Sequence, residues 1–443
     1  MNKLLIGTAI GTVMLTSCFA AEAQQSDMES KVNQLEEKIA KLERLLEEKD
    51  QKKSNGEVKT KKSESASYSG PVKISLKPAP KFETADGSFK FGIGGFLQED
   101  AAWFSDDISD HPDGFNLRRA RVSVEGTIFD DWAYKFENDF ANNQSRITDA
   151  FISYSGAKPV KITAGQFKEP FSLETLTSDK YTTFIERASL AAFAPDRNIG
   201  VAALIDGLNW SLTGGFFRNN TGSTATDDQQ YSFTARTHYA PIAEEDKSVH
   251  LGLAFSHRVP EESSKSFKYE SKAETSLQSL RSVSTGTIKN VDDTNLIGLE
   301  AATVLDSLSL QGEYVLADVN RSSGNESLDY NAWYAQASYF LTGEVKNYDA
   351  KKGIFGKTKP KANFSLKDGG LGAWEVAARY SNLDLNDGPL SGGRMRNSTL
   401  GVSWYPNEYV KFMADYIKVN TDDNAPVKND DPSVFTLRMQ VDF

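Results

Sequence analysis

Three stretches of the 443-residue chain carry basic side chains that could contact a solute. Arg119 and Arg121 share a face with Ser123 in an alternating segment, because residues two apart in a β-strand point the same way. Lys135 lies on the charged face of a second segment, and Lys180 belongs to an irregular stretch further on. Converging lysines and arginines can replace the hydration of a small anion and neutralise its charge. These side chains offer charge and hydrogen bonds to a solute.

The sequence offers no comparable pattern for covalent catalysis. His250 and His257 are seven residues apart on an alternating segment and so face opposite sides, while His111 and His238 lie elsewhere in the sequence. The sequence contains no Gly-x-Ser-x-Gly motif, no zinc-ligand spacing and no phosphate-cradling glycine-rich loop. We therefore predict no catalytic residues, no metal site and no cofactor, and a protein that is not an enzyme.

The irregular stretch runs from Lys168 to Asn198 and separates two strand-like segments. Connections of this length are usually functional or disordered, and apolar anchors favour function. Folded into a closed barrel, such a segment would narrow the lumen and decide which solutes pass. Its predicted anchors are Phe171, Leu173, Phe184, Leu190 and Phe193.

Period-two alternation extends from about residue 82 to the end of the chain. About seventeen alternating segments can be counted, most of them ~9 residues or longer, which is the length a tilted strand needs to cross a bilayer. Single-chain bacterial barrels normally have an even number of strands, and Phe267 to Leu277 is the weakest segment. The mean hydropathy of −0.47 excludes a membrane protein built from apolar helices. We therefore predict an all-β fold, a 16-stranded antiparallel transmembrane β-barrel with an inward-folded constriction loop.

The connections between these segments differ in length. Turns at residues 129–131 and 405–407 are tight, whereas residues 219–230 and 346–370 form long polar connections. Short turns on one rim and long loops on the other are typical of outer-membrane barrels.

The N-terminal region has the layout of a secretory signal. An apolar stretch follows Lys3 and precedes Ala21-Glu22-Ala23, which predicts a signal peptide over residues 1–23. A second interpretation is a lipoprotein signal at Leu15-Thr16-Ser17-Cys18, in which Cys18, the single cysteine, would be lipidated. Cleavage after Ala23 is favoured because a barrel in the membrane has little need of a lipid anchor.

Residues 24–50 follow as a short periplasmic coiled-coil segment with a heptad seam of apolar residues. The seam is too short to be stable alone, so we predict that it assists an oligomer held together elsewhere, with a homotrimer preferred. A solvated helix without a partner is the alternative. Residues 51–81 are rich in lysine and serine and predict a flexible linker, which leaves 82–443 as the barrel domain.

Several short motifs from about Phe89 to Phe443 resemble the phosphate-selective porin O and P family. They include Phe115-Asn116-Leu117-Arg118-Arg119-Ala120-Arg121, Thr148-Asp149-Ala150, Gly165-Gln166-Phe167 and Leu400-Gly401-Val402-Ser403-Trp404-Tyr405-Pro406-Asn407-Glu408. The set is specific, although each piece alone is weak. The resemblance implies a sixteen-stranded trimeric porin whose Lys168 to Asn198 loop folds inward at the constriction.

The resemblance also implies residues that contact the anion. Arg118 and Arg119 match the paired arginines of the second strand, Asp149 matches an aspartate facing the site, and Ser178 and Arg187 match loop positions. Other basic positions of the family are absent, since lysines are replaced by Ala133 and Thr175, and Asp179 replaces a serine. The arginine-rich staircase of the family corresponds to Lys268 to Lys272, where Glu270 and Glu274 intervene. Together with Arg121, Lys135 and Lys180, the matched residues form the predicted pore or anion-contact set.

Two points stay open in the sequence. Strand alternation places Arg118 on the face opposite Arg119, whereas the resemblance places both at the pore, unless the strand is irregular there. The arginines could also be structural, pairing with Glu137, Asp139 or Asp149 to hold the loop against the wall. The net charge of −14 on residues 82–443 is spread over loops, surface and lumen, so it cannot determine the selectivity.

These observations predict an outer-membrane porin of a Gram-negative cell, with its N-terminal segment in the periplasm. Its partners would be small hydrophilic solutes or inorganic anions, membrane lipid and further copies of the chain, and not nucleic acid. The alternative is an envelope-tethering or adhesion protein in which the barrel is only an anchor.

Overall fold

A computed structural model describes residues 70–443 except 77–78, 219–229, 278–280, 323 and 389. The predicted signal peptide, the coiled-coil segment and the linker up to residue 69 lie outside the described residues.

Sixteen long strands, numbered β1 to β16 in chain order, form one closed antiparallel barrel. Each strand pairs with its sequence neighbours, and β16 pairs with β1 from Ser433 opposite Ser105 to Asp442 opposite Phe96. The predicted number is confirmed, and Phe267 to Leu277 contributes no barrel strand. The strands are β1 Phe89–Ser105, β2 Gly114–Ile128, β3 Trp132–Asp139, β4 Arg146–Tyr154, β5 Val160–Lys168, β6 Arg197–Asp206, β7 Trp210–Arg218, β8 Tyr231–Ala243, β9 Lys247–Val259, β10 Val291–Leu305, β11 Leu308–Arg321, β12 Leu328–Phe340, β13 Ala373–Asp387, β14 Leu390–Asn407, β15 Val410–Thr421 and β16 Ser433–Asp442.

Alternation along each strand places apolar residues outside and polar residues inside, as β16 illustrates. Phe435, Leu437 and Met439 are exposed on the outer wall, whereas Arg438 and Gln440 are buried in the lumen. The outer face therefore presents an apolar belt to the bilayer while the inner face carries charge.

A two-stranded hairpin precedes the barrel. Its strands, Val72–Ser75 and Lys81–Thr84, pair with each other, and the second continues the sheet beyond β1. The first of these strands lies within the range predicted as linker.

The connections define two rims. On the short-turn rim, β2 and β3 are joined by residues 129–131 and β14 and β15 by residues 408–409, whereas residues 106–113, 169–196 and 260–290 lie on the opposite, long-loop rim. The sequence pattern predicted the long polar connection at 346–370 on the long-loop rim, and this was wrong. It belongs to the segment 341–372, which joins β12 to β13 on the short-turn rim.

Three of these connections fold into the lumen. The constriction loop, residues 169–196, contains the helix α1 (Leu173–Leu176) and a 3-10 turn (Ser189–Ala192); a second 3-10 turn spans Ala141–Asn143. The connection 260–290 contains the strand pairs Ser266–Phe267 with Ile288–Lys289 and Glu270–Ser271 with Val283–Ser284, and the connection 341–372 pairs Tyr348–Asp349 with Ile354–Phe355. Within the described ranges, no helix has the length and apolarity that crossing a membrane requires.

The interior beside β9 to β16 is a packed hydrophobic core. Phe171, Leu190 and Phe193 of the constriction loop pack there with Tyr269 of the 260–290 connection and with strand residues such as Tyr330. Leu173 packs separately with Phe355 of the 341–372 connection. The two cavities described below lie on the other side of the lumen, against the wall formed by β1 to β6.

Candidate functional site

Two cavities lie between the constriction loop and the β1 to β6 wall. One, of about 680 Å³, opens toward the short-turn rim, where it is lined by Lys81 and Tyr409. The other, of about 550 Å³, opens toward the long-loop rim. Arg121, Asp179 and Arg197 line both cavities, so the two spaces meet at these side chains. We call the two cavities, together with these three side chains between them, the passage.

The constriction loop is held in place by its apolar anchors and by wall carboxylates. Phe171, Leu173, Phe184, Leu190 and Phe193 are all at most 3% exposed, as the sequence predicted for anchors. At one end, the Glu313 carboxylate accepts hydrogen bonds from the backbone N–H groups of Leu173 and Glu174 at 3.0 and 2.8 Å. Further along, Asp415 accepts one from the backbone N–H of Ile185 at 2.8 Å.

A β-bulge in β2 explains the conflict over Arg118. The register with β1 pairs Gln98 with Arg119 but Glu99 with Leu117, which leaves Arg118 as the extra residue. Its side chain turns inward, and both Nε and Nη2 donate to the Glu186 carboxylate at 2.8 and 3.0 Å. Strict alternation was therefore wrong at this residue, and Arg118 and Arg119 both reach the loop.

Two loop carboxylates bind most of the arginines at the constriction. Asp179 contacts Arg187 at 2.5 Å, Arg121 at 2.8 Å and Arg119 at 3.5 Å. Burial alone would raise the pKa of Asp179, but Arg119, Arg187 and the other nearby basic groups outweigh it and hold that pKa well below its usual range. This set is a loop-to-wall clamp whose charges are partly neutralised.

Glu186 forms the second half of the clamp. Besides Arg118, its carboxylate accepts a hydrogen bond from Arg438 of β16 at 2.6 Å, and Arg438 also donates to Asp100 of β1. The pKa of Glu186 is held well below its usual range because Arg118, Arg119 and Arg438 outweigh the effect of burial.

Asp149 orients two cations on the opposite side of the passage. Its carboxylate contacts Lys135 of β3 at 2.6 Å and Arg197 of β6 at 2.7 Å. Arg197 was missed in the sequence, although it follows Asp196 at the point where the irregular stretch returns to a strand. A basic residue at such a junction is the signal that could have identified it.

Ser178 and Lys180, also predicted for the site, both line the cavity near the short-turn rim. Lys180 lies 3.9 Å from Asp442 and 5.7 Å from the centre of the Phe96 ring. Burial lowers the pKa of Lys180. The structure therefore brings all eight predicted residues to the passage or to the clamp that borders it.

Three further positions differ from the family pattern, namely Thr175, Glu270 and Glu274, and the structure shows what each residue contacts. Lys168 donates a hydrogen bond to the carbonyl oxygen of Thr175, so a cation from β5 reaches the position where the loop lacks its own lysine. In the 260–290 connection, Glu270 pairs with Lys268 and Arg281, while Glu274 is turned into the lumen against Arg379. Lys272 is left facing the cavity.

The charges lining the passage are unequal. Among the described residues, five basic side chains of the two cavities have no carboxylate within 4 Å, and two acidic side chains, Glu125 and Glu408, have no cation within that distance. The five basic residues are Lys81, Arg146, Lys168, Lys272 and Lys359. The passage therefore carries an excess of uncompensated positive charge, although the barrel region as a whole is acidic.

Comparison with known proteins gives consistent results. The family model described as phosphate-selective porin O and P matches residues 91–443. Porin O of Pseudomonas aeruginosa is 28% identical over 421 residues, which covers 84% of this chain and 92% of that protein. An uncharacterised protein of Caulobacter vibrioides is 27% identical over 394 residues, covering 85% and 78% of the two chains.

Solved structures share the fold at low identity. OmpT of Vibrio cholerae, folded in vitro, superposes with a TM-score of 0.52 and 12% identity, covering 80% of this chain and 98% of that one. The outer-membrane channel DcaP of Acinetobacter baumannii gives 0.51 and 14%, covering 82% and 99%.

Proposed function

Because the chain belongs to the phosphate-selective porin O and P family, it is an outer-membrane porin for the passive diffusion of small solutes, and we propose that these solutes are predominantly anions. The observation that carries the proposal is the charge of the passage, where uncompensated basic side chains outnumber uncompensated acidic ones. Cations at a narrow, water-filled pore attract anions and repel cations. No catalytic step is part of this function.

The proposed selectivity is for anions in general, and discrimination in favour of phosphate is weak. A phosphate needs several free donors to replace its water, but Arg118, Arg119 and Arg121 are already engaged by Glu186, Asp179 and Asp139. If one of these arginines turned from its carboxylate to a solute, the buried carboxylate would be left unpaired, which is costly. The uncompensated lysines are single donors spread along the passage and provide charge without a convergent site.

The test is the zero-current potential of the full-length protein in a planar bilayer under a potassium chloride gradient. We expect discrete channels with a potential of the anion-selective sign and only partial reduction of the current when phosphate is added. A potential of the cation-selective sign would overturn the proposal. Strong block by phosphate well below the chloride concentration would instead establish a specific site, and absence of channels would favour the tethering alternative.

We also propose that the porin is a homotrimer whose copies meet on the wall formed by β16, β1 and β2. Glu99 of β1 is exposed on the outer face, opposite Met439 on one side and Leu117 on the other. A carboxylate facing lipid within the apolar belt is unfavourable, whereas a protein interface can supply hydrogen-bond donors. On the same proposal, the short-turn rim and the N-terminal segment face the periplasm.

A further inference from the structure

Part of the 341–372 connection leaves the lumen and lies on the outer wall of the barrel. Residues 361–371, which we name the arm, contact the wall through two hydrogen bonds, one between backbone groups and one from a tryptophan side chain to the backbone of the arm. The N–H of Phe364 donates to the carbonyl oxygen of Pro406 at 2.7 Å, and the indole N–H of Trp404 donates to that of Leu371 at 2.9 Å. The arm is therefore attached to the barrel beside the short-turn rim.

The wall at this point is aromatic. Trp374, Trp404 and Phe412, from the neighbouring strands β13, β14 and β15, stack in a row with ring centres 5.6 and 5.5 Å apart. Phe364 of the arm meets Trp404 edge-on at 5.2 Å. Rows of outward-facing aromatic residues at barrel ends mark the level of the lipid headgroups. Phe364 of the arm thus adds a further aromatic ring to the outer side of this row.

The tip of the arm is a rigid turn with an exposed leucine. The N–H of Ser365 donates to the carbonyl oxygen of Gly370, and the Asp368 N–H donates to the hydroxyl of Ser365, both at 3.0 Å. Leu366 at the tip is 91% exposed and Leu371 is 65% exposed. A turn held by its own hydrogen bonds thus displays two leucines beside the aromatic row.

Basic residues flank these leucines. Lys361 and Lys367 are exposed and have no carboxylate within 4 Å in the described part of the chain. Apolar side chains beside lysines form the usual composition of segments that insert shallowly into a lipid interface, where the lysines meet anionic headgroups.

We propose that the arm is a lipid-binding element that inserts Leu366 and Leu371 into the phospholipid leaflet at the short-turn rim, with Lys361 and Lys367 contacting phosphate-bearing headgroups. The aromatic row places the arm at the depth of the lipid–water interface. The exposed leucines suit the acyl-chain side of this interface, and the exposed lysines suit its headgroup side. The proposal does not depend on the solute selectivity.

The experiment measures where a spin label at the arm lies. The full-length Cys18→Ser protein receives one cysteine, as Leu366→Cys, Ile108→Cys or Leu253→Cys, and a nitroxide label at that position. Ile108 is an exposed apolar residue on the long-loop rim, and Leu253 lies in the outer belt on β9, away from the proposed subunit interface. Each protein is placed in vesicles of phosphatidylethanolamine and phosphatidylglycerol. The accessibility of the label to oxygen and to a water-soluble nickel chelate is then compared.

We expect the label at 366 to have a several-fold higher oxygen-to-nickel accessibility ratio than the label at 108, with a value approaching that at 253. Equal ratios at 366 and 108 would overturn the proposal. Protection of 366 from both reagents would overturn it as well, because a protein surface, such as a second copy, would then cover the arm.

The lysine contact is tested separately with Lys361→Gln and Lys367→Gln together in the 366-labelled protein. The ratio should fall in vesicles containing phosphatidylglycerol and change little in vesicles of phosphatidylcholine alone. An identical ratio in every vesicle and variant would exclude the headgroup contact. Conductance of the same samples confirms that each variant has folded, since the arm lines neither cavity near its tip.

Discussion

Lys168 and Arg197 are basic side chains that the adjoining ends of β5 and β6 present to the cavities. Lys168 has only a carbonyl partner in the described structure, and Arg197 lines both cavities although Asp149 holds it. Arg118 and Arg119 point at the loop, and their charge is largely balanced by Glu186 and nearby acids. Arg197 therefore acts on a passing ion from both cavities, whereas Arg118 and Arg119 line only the cavity on the long-loop side.

Replacing both Lys168 and Arg197 with glutamine should reduce the anion-to-cation permeability ratio by roughly two- to tenfold. A unit charge about 4 Å from an ion contributes about 1 kcal/mol in water and more inside a protein. The ratio follows from the zero-current potential under a salt gradient.

The matched control is Arg396→Gln, since Arg396 is an exposed cation of β14 outside both cavities. Glu125→Gln, which removes an uncompensated acid from the passage, should shift the ratio the opposite way. An equal loss of anion preference in the Arg396 variant would show that overall charge, and not the passage, sets selectivity.

Low pH should release the loop-to-wall clamp. Asp179 and Glu186 have pKa values well below their ordinary 3.8 and 4.5, because neighbouring arginines outweigh the effect of burial. The stabilisation from a lowered pKa is fully present above the ordinary value and is lost as the pH falls through the lowered one. We expect steady channel current from pH 7 to about 5 and increasing current noise below about pH 3.

Asp179→Asn provides the comparison for this pH dependence. The variant should be noisy already at pH 7, because three arginines lose a shared carboxylate, and it should respond less to acid. Noise that rises equally in both proteins as the pH falls would assign the transition to other groups.

At the scale of elements, two connections close half of the lumen from opposite rims. The constriction loop enters from one side, and the 341–372 connection meets it from the other, where the N–H of Phe355 donates to the hydroxyl of Thr177 at 3.3 Å. The Gly353 carbonyl of the same connection accepts a hydrogen bond from Arg236 at 2.9 Å. The two elements therefore block the part of the barrel beside β8 to β12 together.

Replacing residues 348–356 with a short glycine-serine linker should raise the single-channel conductance measured in a planar bilayer. These residues fill the space between the constriction loop and the wall, and Leu173 would lose its contact with Phe355. Anion preference should change little, since Lys168 and Arg197 stay in place. Unchanged conductance would mean that the remaining core keeps that half of the lumen sealed.

The sequence predicted the elements better than their placement. Period-two alternation identified the strands, and the long stretch with apolar anchors identified the constriction loop, because both depend on local pattern. The rim of the 341–372 connection could have been predicted by counting, since the twelfth and thirteenth of sixteen strands meet on the short-turn side. The bulge at Arg118 stayed one of two alternatives, because alternation and the resemblance disagreed there and one extra residue leaves no mark in the composition of a strand.

At the scale of the molecule, Glu99 should distinguish a subunit interface from a lipid-facing wall. If copies meet there, Glu99→Leu removes a polar contact and should lower the temperature at which oligomer becomes monomer on a semi-native gel. A lipid-facing carboxylate would give the opposite result, because its removal would stabilise the barrel.

The matched control is Met439→Leu, since Met439 lies directly opposite Glu99 on the same wall and the exchange keeps it apolar. It should leave the oligomer unchanged. Migration of the unaltered protein as a monomer at all temperatures would contradict the interface itself.

The constriction loop also holds the seam between β16 and β1. Arg438 of β16 reaches Asp100 of β1 and Glu186 of the constriction loop, and Gln98 and Gln440 of the two strands hydrogen-bond backbone carbonyls of the loop at Asp179 and Lys180. With the loop elsewhere, Arg438 would keep Asp100 and Gln98 would keep Gln440, but the hydrogen bonds to the loop would be lost, each worth about 0.5–1.5 kcal/mol net. The loop thus bridges the first and the last strand, so the contacts that narrow the lumen also strengthen the closure of the barrel.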